Sequence, residues 1–505
     1  MRNNLFLTLA FGGLFLLVSS CQKISDLENL NVERADAEYA LPLVNTNITL
    51  NDIFGSKNIS ALRYDANGNL ILHYESQVGQ KNASDFFTFF SNLPFIMTDS
   101  LVTLPYKKSE DLDVKKIRLK KGSIRFGCNA AGVNEAVKVT FTLPQLTKNS
   151  KPFVRTYIAQ FLPGTGAFLL VAPEDVSGYE LNILNDSIYL KYEARIVSSG
   201  KPIKLSYAGG QFENIEFGYV EAIMKNREVD VPSENIEISL FNNFVGGNIT
   251  FADPTITLEI DNSFGFPIGS LTRYLRVRNV KGDTLSLKSS YVNNTILFDY
   301  PTINEPGKSR ITTFVFNNSN SNIKDILNNS PTQLSYDIDA KLNPQNNSTI
   351  GFMTDSSRYK IRVQLDLPLY GTASNFVGDQ DFKIDLSKFS SVRTAEFKIV
   401  ADNKIPVGIN TQFYFKNQNG VVLDSMFKSP QPLTAGANVN ANADATGEIT
   451  TILLAAADAD KMNRIRTATS IGAKFYFSTT DKGSKNVRVN RAQGIKIRMG
   501  VKVGV

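Results

Sequence analysis

The chain of 505 residues carries a single histidine, His73, and two cysteines, Cys21 and Cys128. Zinc sites draw mainly on histidine and cysteine, and a serine hydrolase needs a histidine as its general base, so both chemistries would hang on one residue. In Leu70-Ile71-Leu72-His73-Tyr74 one face carries Leu70, Leu72 and Tyr74, and His73 falls on the other with Ile71 and Glu75. That is the position of an ordinary strand histidine. Gly307-Lys308-Ser309 resembles the end of a phosphate loop, but the leading glycine would have to stand at Thr302, and no apolar strand feeds it. Gly164-x-Gly166 lacks the third glycine of a dinucleotide loop, because Leu169 stands there. Ser321-x-x-Lys324 has the spacing of a serine-lysine nucleophile pair without its usual Lys-Thr-Gly, and Ser321 suits a helix N-cap. Asp65-x-Asn67-x-Asn69 starts like a calcium loop, yet its glycine is Gly68, where a hairpin turn needs one. Asp379, Asp381 and Asp385 are spaced to contribute to a cation site or a carboxylate pair, although closely spaced acids on a polar stretch are ordinarily just solvated. The expectation is therefore no catalytic residue, no metal and no cofactor. Tryptophan is absent, which leaves 18 Tyr and 34 Phe for any stacking on sugars, and the alternation of the Phe assigns most of them to cores.

Short strands must carry these residues. Alternating apolar residues on both sides of Asn67-Gly68 predict a β-hairpin from residues 61–65 and 70–74. Similar alternation recurs at residues 116–119, 137–143, 188–192, 236–240, 256–260, 311–316, 359–367, 395–400, 411–415, 474–477 and 495–503. Helix signals are few: a turn at 50–54, a segment at 322–327 and another at 458–467. The fold class expected is all-β, with tandem β-sandwich domains and a few short helices. The expected division is a signal segment at 1–20, a tether at 21–38, and β domains at 39–208, 209–358 and 359–505. The boundary near 208 follows Gly209-Gly210, read as a turn, and the one near 358 follows the polar stretch 343–348.

Two internal echoes suggest a modular build. Asp52-Ile53-Phe54 before Leu62-Arg63-Tyr64-Asp65 is matched by Asp325-Ile326-Leu327 before Leu334-Ser335-Tyr336-Asp337. Asp261-Asn262 with Pro267-Ile268-Gly269 beyond it is matched by Asp402-Asn403 with Pro406-Val407-Gly408. Generic turn chemistry can also produce such fragments. The second echo resembles the asparagine-proline strand endings of late-embryogenesis-abundant type sandwich modules.

The net charge of +6 is unevenly spread. Between Asp460 and Val505 eleven Lys and Arg meet two Asp, a local +9, so the rest of the chain sums to −3. Alternation in the last strand puts Lys496, Arg498 and Lys502 on one face, a stripe suited to an anionic lipid, glycan or protein partner.

The amino terminus sets the compartment. Arg2 precedes an apolar run at 5–18, and Ser19-Ser20 lead into Cys21. Fourteen residues are too few for a span of roughly 20, so the run is a secretory signal. Leu17-Val18-Ser19-Ser20-Cys21 resembles the lipobox of bacterial lipoproteins. The resemblance implies cleavage before Cys21, diacylglycerol on its sulfur and a third acyl chain on the new amino terminus. Gln22 in place of Asp implies the outer membrane, with the periplasmic and surface faces both open. Nucleic acid is not an expected partner outside the cytoplasm. With Cys21 acylated, Cys128 has no partner for an internal disulfide. The lipobox together with phrases such as Asp366-Leu367-Pro368-Leu369-Tyr370-Gly371 resembles uncharacterised outer-membrane lipoproteins of the Bacteroidota. Ser100, Ser187, Thr284 and Ser425 each stand in an Asp-Ser/Thr-apolar triplet that resembles the O-glycosylation acceptor of exported proteins of that phylum. The function expected is a non-enzymatic, membrane-anchored interaction protein; the alternatives are carriage of an apolar ligand such as a lipid between sheets, and glycan binding or hydrolysis.

Overall fold

The computed structural model describes residues 38–49, 62–105, 109–239, 246–383 and 392–504. Cys21, the turn expected at 50–54 and Asp385 lie outside them. The protein is all-β, about 61% strand against 4% helix, so strand pairing rather than helix packing organises the chain. No helix among the described residues is long and apolar enough to cross a membrane.

Residues 93–224 build an 11-stranded sheet, completed by Ile350–Thr354. Alternation explains its strands. In Val137–Lys148, Val137, Val139, Phe141 and Leu143 point inward while Lys138, Thr140 and Thr142 point out. Leu112–Ala130 pairs with Gly166–Leu170, that strand with Lys151–Leu162, and that with Val137–Lys148. Glu180–Asn182 then bonds both to Val137–Lys148 and to Leu112–Ala130. The ladder returns to its first strand and closes a small ring. Its interior is filled by aromatic rings: Phe126 stacks on Phe141 with centroids 4.5 Å apart, and Phe153 lies 6.0 Å from Phe126. Cys128 is buried there, and burial pushes its thiol up to about 11.

Two sandwiches of one design follow. In the first, Thr255–Asn262 lies between Arg310–Phe316 and Arg358–Pro368, and the next strand, Ile268–Asn279, crosses to a second sheet and pairs with Pro331–Leu342. In the second, Thr394–Asn403 lies between Ile449–Ala457 and Gly494–Gly504, and Val407–Lys416 pairs with Ser470–Thr479 in the other sheet. A short helix occupies the same place in each, Ile323–Leu327 and Ala459–Ile465. Each also takes a strand from the amino-terminal region: Leu70–Asn82 joins Arg358–Pro368, and Glu38–Thr49 joins Gly494–Gly504.

The Asp-Asn echo marks equivalent corners. Asn262 and Asn403 are both fully buried, and their Oδ1 atoms accept from the backbone N–H two residues on, at Phe264 (3.0 Å) and Ile405 (2.8 Å). An asparagine there caps the strand end internally while the chain changes sheets.

Several local expectations need correction. Ser321 does not cap its helix: its hydroxyl donates to the Asn317 carbonyl, and Asn322 holds the N-cap position. The Asp458 carboxylate does cap, accepting from Lys461 N–H at 2.8 Å. Gly209-Gly210 is not a turn but part of the strand Tyr207–Met224, where a Cβ on Gly209 would stand 2.7 Å from the Phe95 carbonyl oxygen. The divisions expected after 208 and 358 therefore fall inside strands, Tyr207–Met224 and Arg358–Pro368.

Candidate functional site: an amide-lined cleft

A cleft with a volume of about 800 Å³ sits where the first hairpin meets the last sandwich. Asp65 shapes the hairpin turn, its Oδ1 accepting from Asn67 and Asn69 N–H and its Oδ2 from the Asn69 carboxamide, all at 2.8 Å. Gly68 has φ +80°, and a Cβ there would stand 3.2 Å from Asn490 Nδ2, so glycine is needed both for the turn and for the close approach. The segment 488–493 is laced onto this turn. Leu70 N–H donates to Val489 O at 2.8 Å, Arg491 N–H to Gly68 O at 2.9 Å, and Asn490 Nδ2 to Asn67 O at 2.9 Å. A third wall is the turn 440–444, where Asn440 Oδ1 accepts from Asn442 and Asp444 N–H. Val487–Arg488 pairs with Tyr370-Gly371 at the start of Tyr370–Lys383, which brings the last two groups in.

The lining is rich in carboxamides: Asn67, Asn69, Asn442, Asn490 and Gln493. The Arg488 guanidinium lies 3.9 Å above the Tyr370 ring and donates through Nε to Asn442 O at 3.1 Å. Asp444 is the one carboxylate in the lining. For Asp65 desolvation acts to raise the pKa, but the Asn69 and Asn67 hydrogen bonds and the Arg488 charge together hold it below the ordinary 3.8. A carboxylate held below its unfolded value adds stability that is present above that value and lost as the pH falls through the folded one. The Asp65→Asn variant is therefore expected to be less stable than the parent by a constant amount between about pH 5 and 7, with the gap closing below the ordinary Asp value. Denaturant midpoints across that range test this, and a gap that persists in acid would refute it.

The other singled-out residues are placed as follows. His73 is buried, with Nδ1 2.6 Å from Asp366 Oδ1 and Nε2 3.4 Å from Glu75 Oε2, so both ring nitrogens face carboxylates. Asp381 is held by Lys416 Nζ at 2.6 Å, and the side chain of Asp379 lies outside the described residues. The Lys496, Arg498 and Lys502 face is not a bare cationic stripe, because the neighbouring strand sets acids against it. Arg498 pairs with Asp402 at 2.6 Å, Lys496 lies opposite Asp402, and Lys502 opposite Glu396. Of the acceptor residues, Ser100 and Thr284 are exposed, whereas the Ser187 and Ser425 hydroxyls donate to the carbonyls of Asn185 and Phe427.

The chain matches no protein-family profile and no curated protein. Among solved structures it is similar to a protein of Parabacteroides distasonis inferred to be secreted, at 13% identity over 56% of this chain and 88% of that one, with a TM-score of 0.31. The VP2 subviral particle of infectious bursal disease virus gives 8% identity over 94% and 81%, TM-score 0.16. Latent PorU of Porphyromonas gingivalis gives 11% over 75% and 33%, TM-score 0.14. Likeness this slight says nothing about activity.

Sequence reasoning weighed Asp65, Asn67 and Asn69 as the start of a calcium loop, assigned them to a hairpin turn, and did not single out Tyr370, Asn442, Asp444, Arg488, Asn490 and Gln493 as site residues. One available signal was the density of Asn in three separate turns.

Proposed function

We propose that this is a non-enzymatic interaction protein of the cell envelope, held at the outer membrane by lipid on Cys21. The address rests on the amino-terminal order of Arg2, apolar run and lipobox-like Cys21. The observation that carries the interaction role is an apolar face on the outside of the ring. Val154, Ile158 and Leu162 project outward from one strand, with Phe168 and Leu170 beside them, each at least 40% exposed. Exposed apolar groups gathered on one face mark contact surfaces. Carriage of an apolar molecule has less support, because Phe126, Phe141 and Phe153 fill the ring and the 800 Å³ cleft is lined by amides.

Native mass spectrometry of the full chain, extracted from its own membranes in mild detergent, tests this reading. The expected mass is the polypeptide from Cys21 with three acyl chains and no stoichiometric passenger. A lipid released only on denaturation would make the protein a carrier. Added hexose mass would direct attention to Ser100 and Thr284, the two exposed acceptors.

A further inference from the structure

We propose that the cleft between the first hairpin and the last sandwich binds a neutral oligosaccharide. The proposal rests on the reading of an anchored interaction protein and names one class of ligand for it. A volume of about 800 Å³ lies within the range of small-molecule sites. Among the described residues no side-chain hydrogen bond engages the Asn67 and Asn442 carboxamides, the Tyr370 hydroxyl, the Asp444 carboxylate or the terminal nitrogens of Arg488. These groups converge on one space with both donors and acceptors available. Every sugar hydroxyl both donates and accepts, and a planar amide, carboxylate or guanidinium can span two neighbouring hydroxyls.

The charge balance selects against ions. One guanidinium and one carboxylate line the cleft, so a polyanion or a polycation would meet a like charge as well as an opposite one. A neutral polyol meets no such penalty. The methyl groups of Ala441, Ala445 and Ala492 and the Tyr370 ring offer the modest apolar contact that the C–H faces of a pyranose need. The walls are set before any ligand arrives: Asn490 is bonded to the Asn67 carbonyl, Asn440 closes its own turn, and Arg488 lies over the Tyr370 ring. Asn490 and Arg488 therefore have less side-chain freedom to lose on binding. Hydrolysis is not part of the proposal, since acid-base cleavage of a glycoside uses two facing carboxyls and Asp444 is alone in the lining.

The placing of the cleft also suits display. Glu38, the first described residue, pairs with Gly504, whereas the cleft adjoins the other end of the same strand, where Gly494 pairs with Thr49. The strand joining the two ends has eleven residues, a rise of roughly 33 Å. Glu38 thus stands at the end opposite the cleft.

The test is calorimetric titration of the full lipidated chain in detergent with neutral hexasaccharides of glucose, mannose, xylose and galactose, and with a heparin hexasaccharide as the anionic control. Saturable binding of a neutral hexasaccharide is expected, insensitive to salt, and weakened about tenfold or more by Arg488→Ala and by Asn442→Ala. Asn442 is exposed on its turn, so that variant keeps its fold, as thermal unfolding would verify. The proposal is overturned if no neutral hexasaccharide binds at about 10 mM, if binding survives both substitutions, or if only heparin binds with a steep loss in salt. Appearance of new reducing ends would support the site and overturn the non-enzymatic reading. A failure to bind sugar would leave the acyl mass on Cys21 as a separate result.

Discussion

Replacing Cys21 by alanine is expected to move the protein almost wholly from the membrane pellet to the soluble fraction or to trap it as uncleaved precursor. The expectation follows from transfer energies. Each buried methylene of an acyl chain contributes about 0.8 kcal/mol, so one chain binds marginally and reversibly, while two or more hold a protein for good. If Cys21 carries the three chains proposed, removing its sulfur forfeits them all at once. The apolar run at 5–18 cannot substitute as a stable span, having fourteen residues where roughly 20 are required. Fractionation with an alkaline carbonate wash, followed by immunodetection, reads the outcome. Retention of a cleaved, unacylated C21A chain on washed membranes would sink the anchor and shift attention to the apolar face of the ring as the membrane contact.

The second large effect is in the interior of that ring. Phe126→Ala is expected to destabilise the protein by about 3–5 kcal/mol, the usual cost of truncating a buried phenylalanine. Phe126 is fully buried and touches rings on three sides, Phe141, Phe153 and Phe95, the last at 6.1 Å. Stacking adds roughly 0.5–1.5 kcal/mol per ring pair beyond the area buried. Against a total stability of about 5–15 kcal/mol for a domain, such a loss is a large share. Phe168→Ala, on the outer face of the same ring, is expected to stay within about 0.5 kcal/mol of the parent. Urea midpoints of the two variants make the comparison. A Phe126 cost below about 1 kcal/mol would mean that the ring is loosely filled, and would reopen carriage of an apolar ligand.

The two predictions separate the two scales on which the chain is organised. The proposed anchor is a local segment of twenty-one residues, whereas rigidity depends on rings contributed by strands far apart in sequence. The cleft belongs to the second kind, since Asn67 and Asn490 are 423 positions apart and share a hydrogen bond. Its Asp65 anchor titrates in acid, so the same turn that builds the wall also makes the site sensitive to low pH.

Much of the fold was legible because its rules are local. The Asn67-Gly68 hairpin was readable from alternation around a turn dipeptide, and it forms with Leu62 opposite Leu72 and Tyr64 opposite Leu70. The helix near Asp458 and the shared corners at Asn262 and Asn403 were likewise visible, because their signals lie within a few positions of each other. Gly209-Gly210 misled for a related reason: glycine marks either a turn or a place where another backbone comes close, and only the neighbouring strand distinguishes them. Lys496, Arg498 and Lys502 were correctly placed on one face of a strand, but pairing set Asp402 and Glu396 beside them.

By itself the sequence determined that the chain is all-β, where several of its turns lie and which residues face inward along many of its strands. Those features depend on residue type and on periods of two, which need no knowledge of partners. The tertiary structure decided which strands pair, that one sheet closes into a ring, that two amino-terminal strands complete distant sandwiches, and that five amides, a guanidinium and a phenol line one cleft. Strand pairing is non-local and governed by the fit of whole faces, so two segments hundreds of residues apart can be neighbours without any mark of it in either.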